Sequence, residues 1–168
     1  MLNTIIKGID TLVEKQGQLT SFLIVPLLLV VLYEVAMRYV FNAPTVWGFE
    51  ATAFAYGLHY MLGLSFMENS QGHVRVDIVT SRMPKKVQAA VLIAGYLLLF
   101  MPVYGLMTWG AAKFAYTATV GNELNSTSWA PRIWPFKIIM AVSFLLLVIQ
   151  GLSTLLKNLK ALTEKTDP

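Results

Sequence analysis

Glu34 and Arg38 lie four residues apart inside a long apolar run, so on a helix they share one face and can pair. A lone charge in hydrocarbon is expensive, and a pair turned towards protein much less so. The pair can be an ion-coupling site, or a clasp at the outer end of a helix whose Arg38 stem can also extend to the headgroups. The clasp is the expectation, because proton relays usually need further acidic groups at membrane depth. Glu50 follows Trp47 at the start of the next apolar run, where free amides and the helix dipole favour a carboxylate. It is read as a capped helix start, able to meet Arg38 across the turn Asn42 to Val46. His59 falls on the opposite side of that helix from Glu50, because residues step round by about 100°. It is expected to hydrogen-bond a neighbouring helix. A haem in a bundle usually takes two axial ligands, and the second of the two histidines, His73, sits beyond the helix end.

The elements that must hold these groups are long and apolar. Hydrophobic residues make up 56% of the 168, charged residues 13%, and the mean hydropathy is +0.60. A soluble domain carries about 25% charged residues, so half that share leaves too little polar surface to face water. There are no cysteines, which excludes disulfide frameworks, thiolate metal sites and cysteine-based electron transfer. A net charge of +4 gives no reason to expect nucleic acid.

A hydrocarbon core about 30 Å thick needs about 20 helical residues. Four runs meet that length: 21–41, 47–66, 87–109 and 133–156. None alternates as a barrel strand would. The predicted fold is therefore an all-α membrane domain of four transmembrane helices spanning 1–168. A cytoplasmic loop at 67–86, a periplasmic loop at 110–132 and a cytoplasmic tail at 157–168 complete it.

Placing the N-terminus inside puts Lys7, Lys15, Arg75, Arg82, Lys85, Lys86, Lys157, Lys160 and Lys165 on the cytoplasmic side. Arg38, Lys113, Arg132 and Lys137 remain opposite, together with all four tryptophans, Trp47, Trp109, Trp129 and Trp134. Both asymmetries favour N-in, C-in.

Within 1–18, Leu2, Ile5, Ile6, Ile9, Leu12 and Val13 recur at helical spacing, with charges elsewhere on the wheel. That predicts an amphipathic helix in the cytoplasmic interface, not a cleaved signal, since Asp10 and Glu14 precede the apolar run. Val74 to Met83 reads as a possible shorter one. Ala51, Ala53, Ala55, Gly57 and Gly63 thin the second span for close packing, and Pro26 and Pro102 predict kinks. Asn125 to Lys137 holds Trp129, Pro131, Trp134 and Pro135, and reads equally as an aromatic belt or a shaped docking loop.

These pieces also occur in a telling order. Glu34-Val35-Ala36-Met37-Arg38-Tyr39-Val40-Phe41-Asn42 is followed by Pro44, Trp47 and Glu50. Then come His73-Val74-Arg75-Val76-Asp77, Ser128-Trp129-Ala130-Pro131, Trp134-Pro135-Phe136-Lys137 and Gln150. In order and spacing the chain resembles the small, DctQ-like membrane subunit of tripartite ATP-independent periplasmic (TRAP) transporters. The resemblance implies a non-catalytic subunit in the bacterial inner membrane, without cofactors of its own. Its implied partners are a large membrane subunit, which carries substrate and sodium ions by an elevator motion, and a periplasmic substrate-binding protein. The activity of that complex would be sodium-coupled uptake of an organic acid. Interface candidates are Glu34, Arg38, Trp47, Glu50, His73, Arg75, Asp77, Trp129, Pro131, Lys137 and Gln150.

Two rivals are weighed against this. A small proton-coupled exporter would use Glu34, but Arg38 would hold that carboxylate ionised, and 68–86 is long and basic for such a chain. A membrane anchor for a redox enzyme lacks the second haem ligand.

Overall fold

The computed structural model describes residues 2–70 and 83–164, and it is helical almost throughout. The helices are α1 (Leu2–Ser21), α2 (Ile24–Tyr39), α3 (Gly48–Asn69), α4 (Lys85–Gly95), α5 (Met101–Val120) and α6 (Trp134–Glu164). Among the described residues there is no strand, only an isolated antiparallel bridge between Leu124 and Arg132.

The packing is that of a protein whose solvent is lipid. Among the described residues, ten buried side chains are polar or charged and eight are hydrophobic. Leu98, Leu106 and Trp109 meanwhile stand more than 70% exposed. In water that arrangement would forfeit the burial of apolar surface that drives folding. In a bilayer the outer apolar face costs nothing, and helices associate through close packing and interhelical hydrogen bonds. The chain is an all-α membrane protein.

Side-chain contacts fix the direction of each helix. Asp10, Gln16 and Thr20 of α1 meet Asn69, Ser65 and His59 of α3 in turn, so the two run antiparallel. Phe136 packs on Phe54, and Gln150 bonds Asn69, so α6 runs parallel to α3. Lys137 lies over Phe114, and a side chain at Gly151 would collide with Phe100, so α5 opposes α6. The result is an up-down bundle of four columns: α1–α2, α3, α4–α5 and α6. Lys160 donates to Asn3 at 2.9 Å, which brings the first and last described helices to the same end.

Both prolines fall where the regular hydrogen-bond ladder is interrupted. Between α1 and α2, Pro26 has no N–H to offer the Phe22 carbonyl, and the ladder shifts to shorter bonds such as Leu23 N to Thr20 O. Pro102 follows a π-helical turn, Tyr96–Phe100, closed by Met101 N donating to Tyr96 O. The widened turn absorbs the hydrogen bond that proline cannot make.

Several boundaries differ from expectation. The third helical column does not end at residue 109 but continues to Val120, because Ala111, Ala115 and Ala118 keep a close-packed stripe against α6. The loop expected at 110–132 therefore shrinks to 121–133. The last helix extends past residue 156 to Glu164. Among the described residues, three helical stretches are long and apolar enough to cross a membrane: Asn3–Tyr39, Val87–Val120 and Trp134–Lys160. α3 is not among them, since Glu50, His59, Glu68 and Asn69 dilute its hydropathy, yet its 22 residues extend about 33 Å. The expected interfacial wheel of α1 is split. Ile6 and Val13 are buried against the bundle, whereas Ile5 and Leu12 are exposed. Polar Asp10, Gln16 and Thr20 share the inward face, because they bond α3 and α6. The possible helix at Val74 to Met83 falls mainly on residues outside those described.

Candidate functional site: a buried polar framework

At the turn joining α2 to α3, the Glu34 carboxylate is buried and fully engaged. Arg38 Nη2 donates to its Oε1 at 2.8 Å, and the Thr45 hydroxyl donates to its Oε2. Thr45 Oγ1 in turn accepts the Gly48 amide at 3.0 Å, satisfying one of the free donors at the start of α3. A Cβ at Gly48 would meet the Glu34 carboxylate and the Thr45 hydroxyl, so any side chain there would have to displace this cluster. Trp47 stacks on Tyr33 with ring centroids 5.7 Å apart. The clasp expected at Glu34 and Arg38 is thus present, and it ties α2 to α3 through Thr45.

Glu50 does not meet Arg38. It is buried one turn into α3 and accepts from Asn125 Nδ2 at 3.1 Å, because the loop after α5 folds back over the helix start. That loop is a closed hairpin. Asn125 N donates to Pro131 O at 2.8 Å and Ile133 N to Glu123 O at 3.1 Å. Ala130 takes a positive φ of 45° to turn the chain, with its amide bonded to Thr127 O. Trp129 stands exposed on the hairpin and Pro131 is half-buried. Lys137 anchors its base: Nζ donates to Glu123 Oε2 at 2.5 Å and sits 3.6 Å from the centre of the Phe114 ring. Burying an ammonium needs such partners, and a carboxylate plus an aromatic face supply them.

At the opposite end, Gln150 joins three columns. Its Nε2 donates to Asp10 Oδ1 and to Asn69 Oδ1, both at 3.1 Å. Ser153 donates to Asp10 Oδ1 at 2.9 Å, and Lys157 pairs with Oδ2 at 2.7 Å. Gln150 Oε1 is buried with no hydrogen-bond partner. Flipping the amide would aim that oxygen at two other acceptors, so the observed orientation is fixed by its neighbours.

Between the two ends, His59 Nδ1 lies 3.2 Å from Thr20 O. A carbonyl only accepts, so the proton is on Nδ1. This is the interhelical hydrogen bond expected of that histidine. Glu68, buried late in α3, accepts from the Tyr96 hydroxyl in the π-turn.

Of the residues singled out in the sequence, the structure gathers Glu34, Arg38 and Trp47 at one turn. It places Glu50, Trp129, Pro131 and Lys137 on or under the hairpin, and Gln150 at the far end. His73, Arg75 and Asp77 lie outside the described residues. Sequence reasoning missed Thr45, Asn125, Glu123, Asn69 and Asp10 as partners. The available signal was that each buried charge needs a counterpart within reach. Among the described residues no group of three or more His, Asp or Glu side chains is placed to hold a metal. The arrangement binds helices to one another.

Comparison with known proteins agrees in kind. The profile of the family described as tripartite ATP-independent periplasmic transporters, DctQ component, matches residues 27–161. The chain is also similar to the sialic acid TRAP transporter permease protein SiaT of Haemophilus influenzae (strain 86-028NP). The two are 28% identical over 97 residues, covering 55% of this chain and 16% of that permease.

Proposed function

Since the chain belongs to the DctQ component family of tripartite ATP-independent periplasmic transporters, a family of transport components and not of catalysts, we propose that it is the fixed brace of such a transporter. The observation that carries this reading is the fate of the ionisable groups that face other helices, most of them buried and Asp10 partly so. Glu34 is spent on Arg38 and Thr45, Glu50 on Asn125, Lys137 on Glu123, and Asp10 on Lys157 and Gln150. A pathway for a charged cargo needs polar groups free to exchange partners. Groups that knit helices together instead suit a part that stays still. In the SiaT permease the similar segment is 16% of the whole, which supports a module working beside a much larger membrane partner.

In this reading all four columns cross the bacterial inner membrane. The antiparallel run of α1–α2, α3, α4–α5 and α6 favours four crossings, and the shared end of α1 and α6 favours termini on one side. Lysine and arginine placement makes that side the cytoplasm. The large membrane subunit carries the substrate and sodium sites and moves as an elevator against this brace, driving sodium-coupled uptake of an organic acid. The Glu123–Ile133 hairpin, with Trp129 exposed, faces the periplasm and helps seat the substrate-binding protein.

The test is flux. Purified chain alone in liposomes should move no labelled carboxylate down a sodium gradient, and adding the large subunit and binding protein should restore uptake. Sodium-driven uptake by the chain alone would overturn the proposal.

A further inference from the structure

We infer that the chain crosses the bilayer obliquely, so that its lipid-facing surface is a slanted band. At one edge α1 meets the cytoplasmic headgroups, and at the other the last turns of α5 meet the periplasmic headgroups. This inference rests on the four crossings of the proposed topology.

Contacts between columns fix which residues stand at one height along the bundle. His59 meets Thr20, Phe54 meets Phe136, Phe100 lies against Gly151, and Lys137 covers Phe114. By interpolation Leu19, Tyr60, Val142 and Trp109, one from each column and all exposed, share one cross-section. That cross-section does not pass through the middle of the four apolar runs. It meets 21–41 at the inner end, 47–66 about two-thirds of the way in, 133–156 nearer the outer end and 87–109 at the outer end. Counted from the outer end of each run, it lies about 22, 13, 9 and 0 residues in, a climb of about 33 Å at 1.5 Å per residue. Neighbouring helices are about 8–10 Å apart. A climb of that size over three such steps calls for a tilt of about 40° or more, against about 20° for an average membrane helix.

Exposed polar groups point the same way. Lys15 neighbours Gln16, which bonds Ser65, and Lys113 neighbours Phe114, which lies under Lys137. Both lysines are exposed, yet along the bundle axis they are only about 14 Å apart. An upright bundle would press them towards a hydrocarbon core about 30 Å thick, where an ammonium is costly. Trp109, 74% exposed, would then sit at mid-depth, although indoles favour the headgroup level. Slanting the bundle moves Lys15 to the inner headgroups and brings Trp109 and Lys113 to the outer ones. It also uses the length of Val87–Val120, whose 34 residues extend about 51 Å and overshoot an upright crossing.

The experiment reads membrane depth at that one cross-section. Nitroxides are placed singly at positions 19, 60, 109 and 142 of the full chain in phosphatidylethanolamine–phosphatidylglycerol vesicles. Depth follows from the ratio of oxygen to nickel-chelate accessibility. The ratio should be several-fold higher at 60 and 142, within the hydrocarbon, than at 19 and 109, at the headgroups. Four equal depths would overturn the inference and leave the four crossings intact. Polarised infrared absorption of oriented bilayers needs no substitution, so it decides the matter even if a labelled variant misfolds. A mean helix tilt of about 40° is expected, and one near the ordinary value of about 20° would overturn the inference. An impermeant maleimide should reach Lys7→Cys and Ser126→Cys from opposite faces of the membrane. Labelling of both from one face would remove the four-crossing reading itself, and the inference with it.

Discussion

Replacing Asp10 tests whether polar contacts, and not apolar burial, hold α1 to the bundle. In the structure its carboxylate accepts from Gln150 at 3.1 Å and Ser153 at 2.9 Å, and pairs with Lys157 at 2.7 Å. A hydrogen bond to a charged group contributes about 1.5–3 kcal/mol in soluble proteins. Interhelical bonds in membranes average about 0.6 kcal/mol and reach about 1.7. The Lys157 contact is partly exposed, so screening limits it to about 0–1 kcal/mol. Asp10→Ala should therefore cost about 2–3 kcal/mol, nearer the upper membrane values because one acceptor is charged.

Gln150→Leu should cost less, although it removes two bonds. It also removes the unpartnered Oε1, whose burial opposes folding by about 1–3 kcal/mol. The double-mutant cycle isolates the pair, and its coupling should be about 1–1.7 kcal/mol. Reversible unfolding in mixed micelles, followed by circular dichroism, measures all three variants. A coupling near zero, with Asp10→Ala as stable as the parent, would refute a polar attachment of α1.

Other outcomes follow from the same geometry. Gly48→Ala gains helix propensity of about 1 kcal/mol, but its Cβ meets the Glu34 carboxylate and Thr45 hydroxyl. The melting temperature should fall, and a rise would show that the turn relaxes freely. Glu50→Gln keeps an oxygen for Asn125 and should assemble and support transport normally, whereas Glu50→Ala should lose both together. Pull-down of the large subunit beside an uptake assay separates assembly from a direct role, which normal pull-down with lost uptake would indicate. Lys137→Met leaves Glu123 without its cation and should loosen the hairpin. Faster tryptic cleavage after Arg132 would register that, and an unchanged rate would exclude Lys137 as the anchor.

Sequence made some of this legible and hid the rest for identifiable reasons. Apolar length set the helical columns, because a bilayer leaves few other solutions. The spacing of Glu34 and Arg38 sufficed for their pairing, as i and i+4 neighbours meet whatever surrounds them. Helix ends were less legible. Trp109 looked like an interfacial stop, yet the alanine stripe from Ala111 to Ala118 carries the helix a further three turns, because packing on α6 and not hydropathy decides where it ends. The partner of Glu50 was hidden for a different reason. Asn125 is 75 residues away and reaches it only when the hairpin folds back. Asp10 looked like the solvated side of an amphipathic wheel, and only the position of Gln150 turns it inward.

The most direct test of a fixed brace is whether the chain changes shape while the transporter works. Nitroxide labels at the exposed positions 12 and 106, and at 29 and 142, report distances between columns by pulsed electron resonance. In the assembled complex, sodium and substrate should leave those distributions unchanged while labels on the large subunit move. A shift of several ångströms within this chain, matched to the transport state, would show that it moves with the cargo.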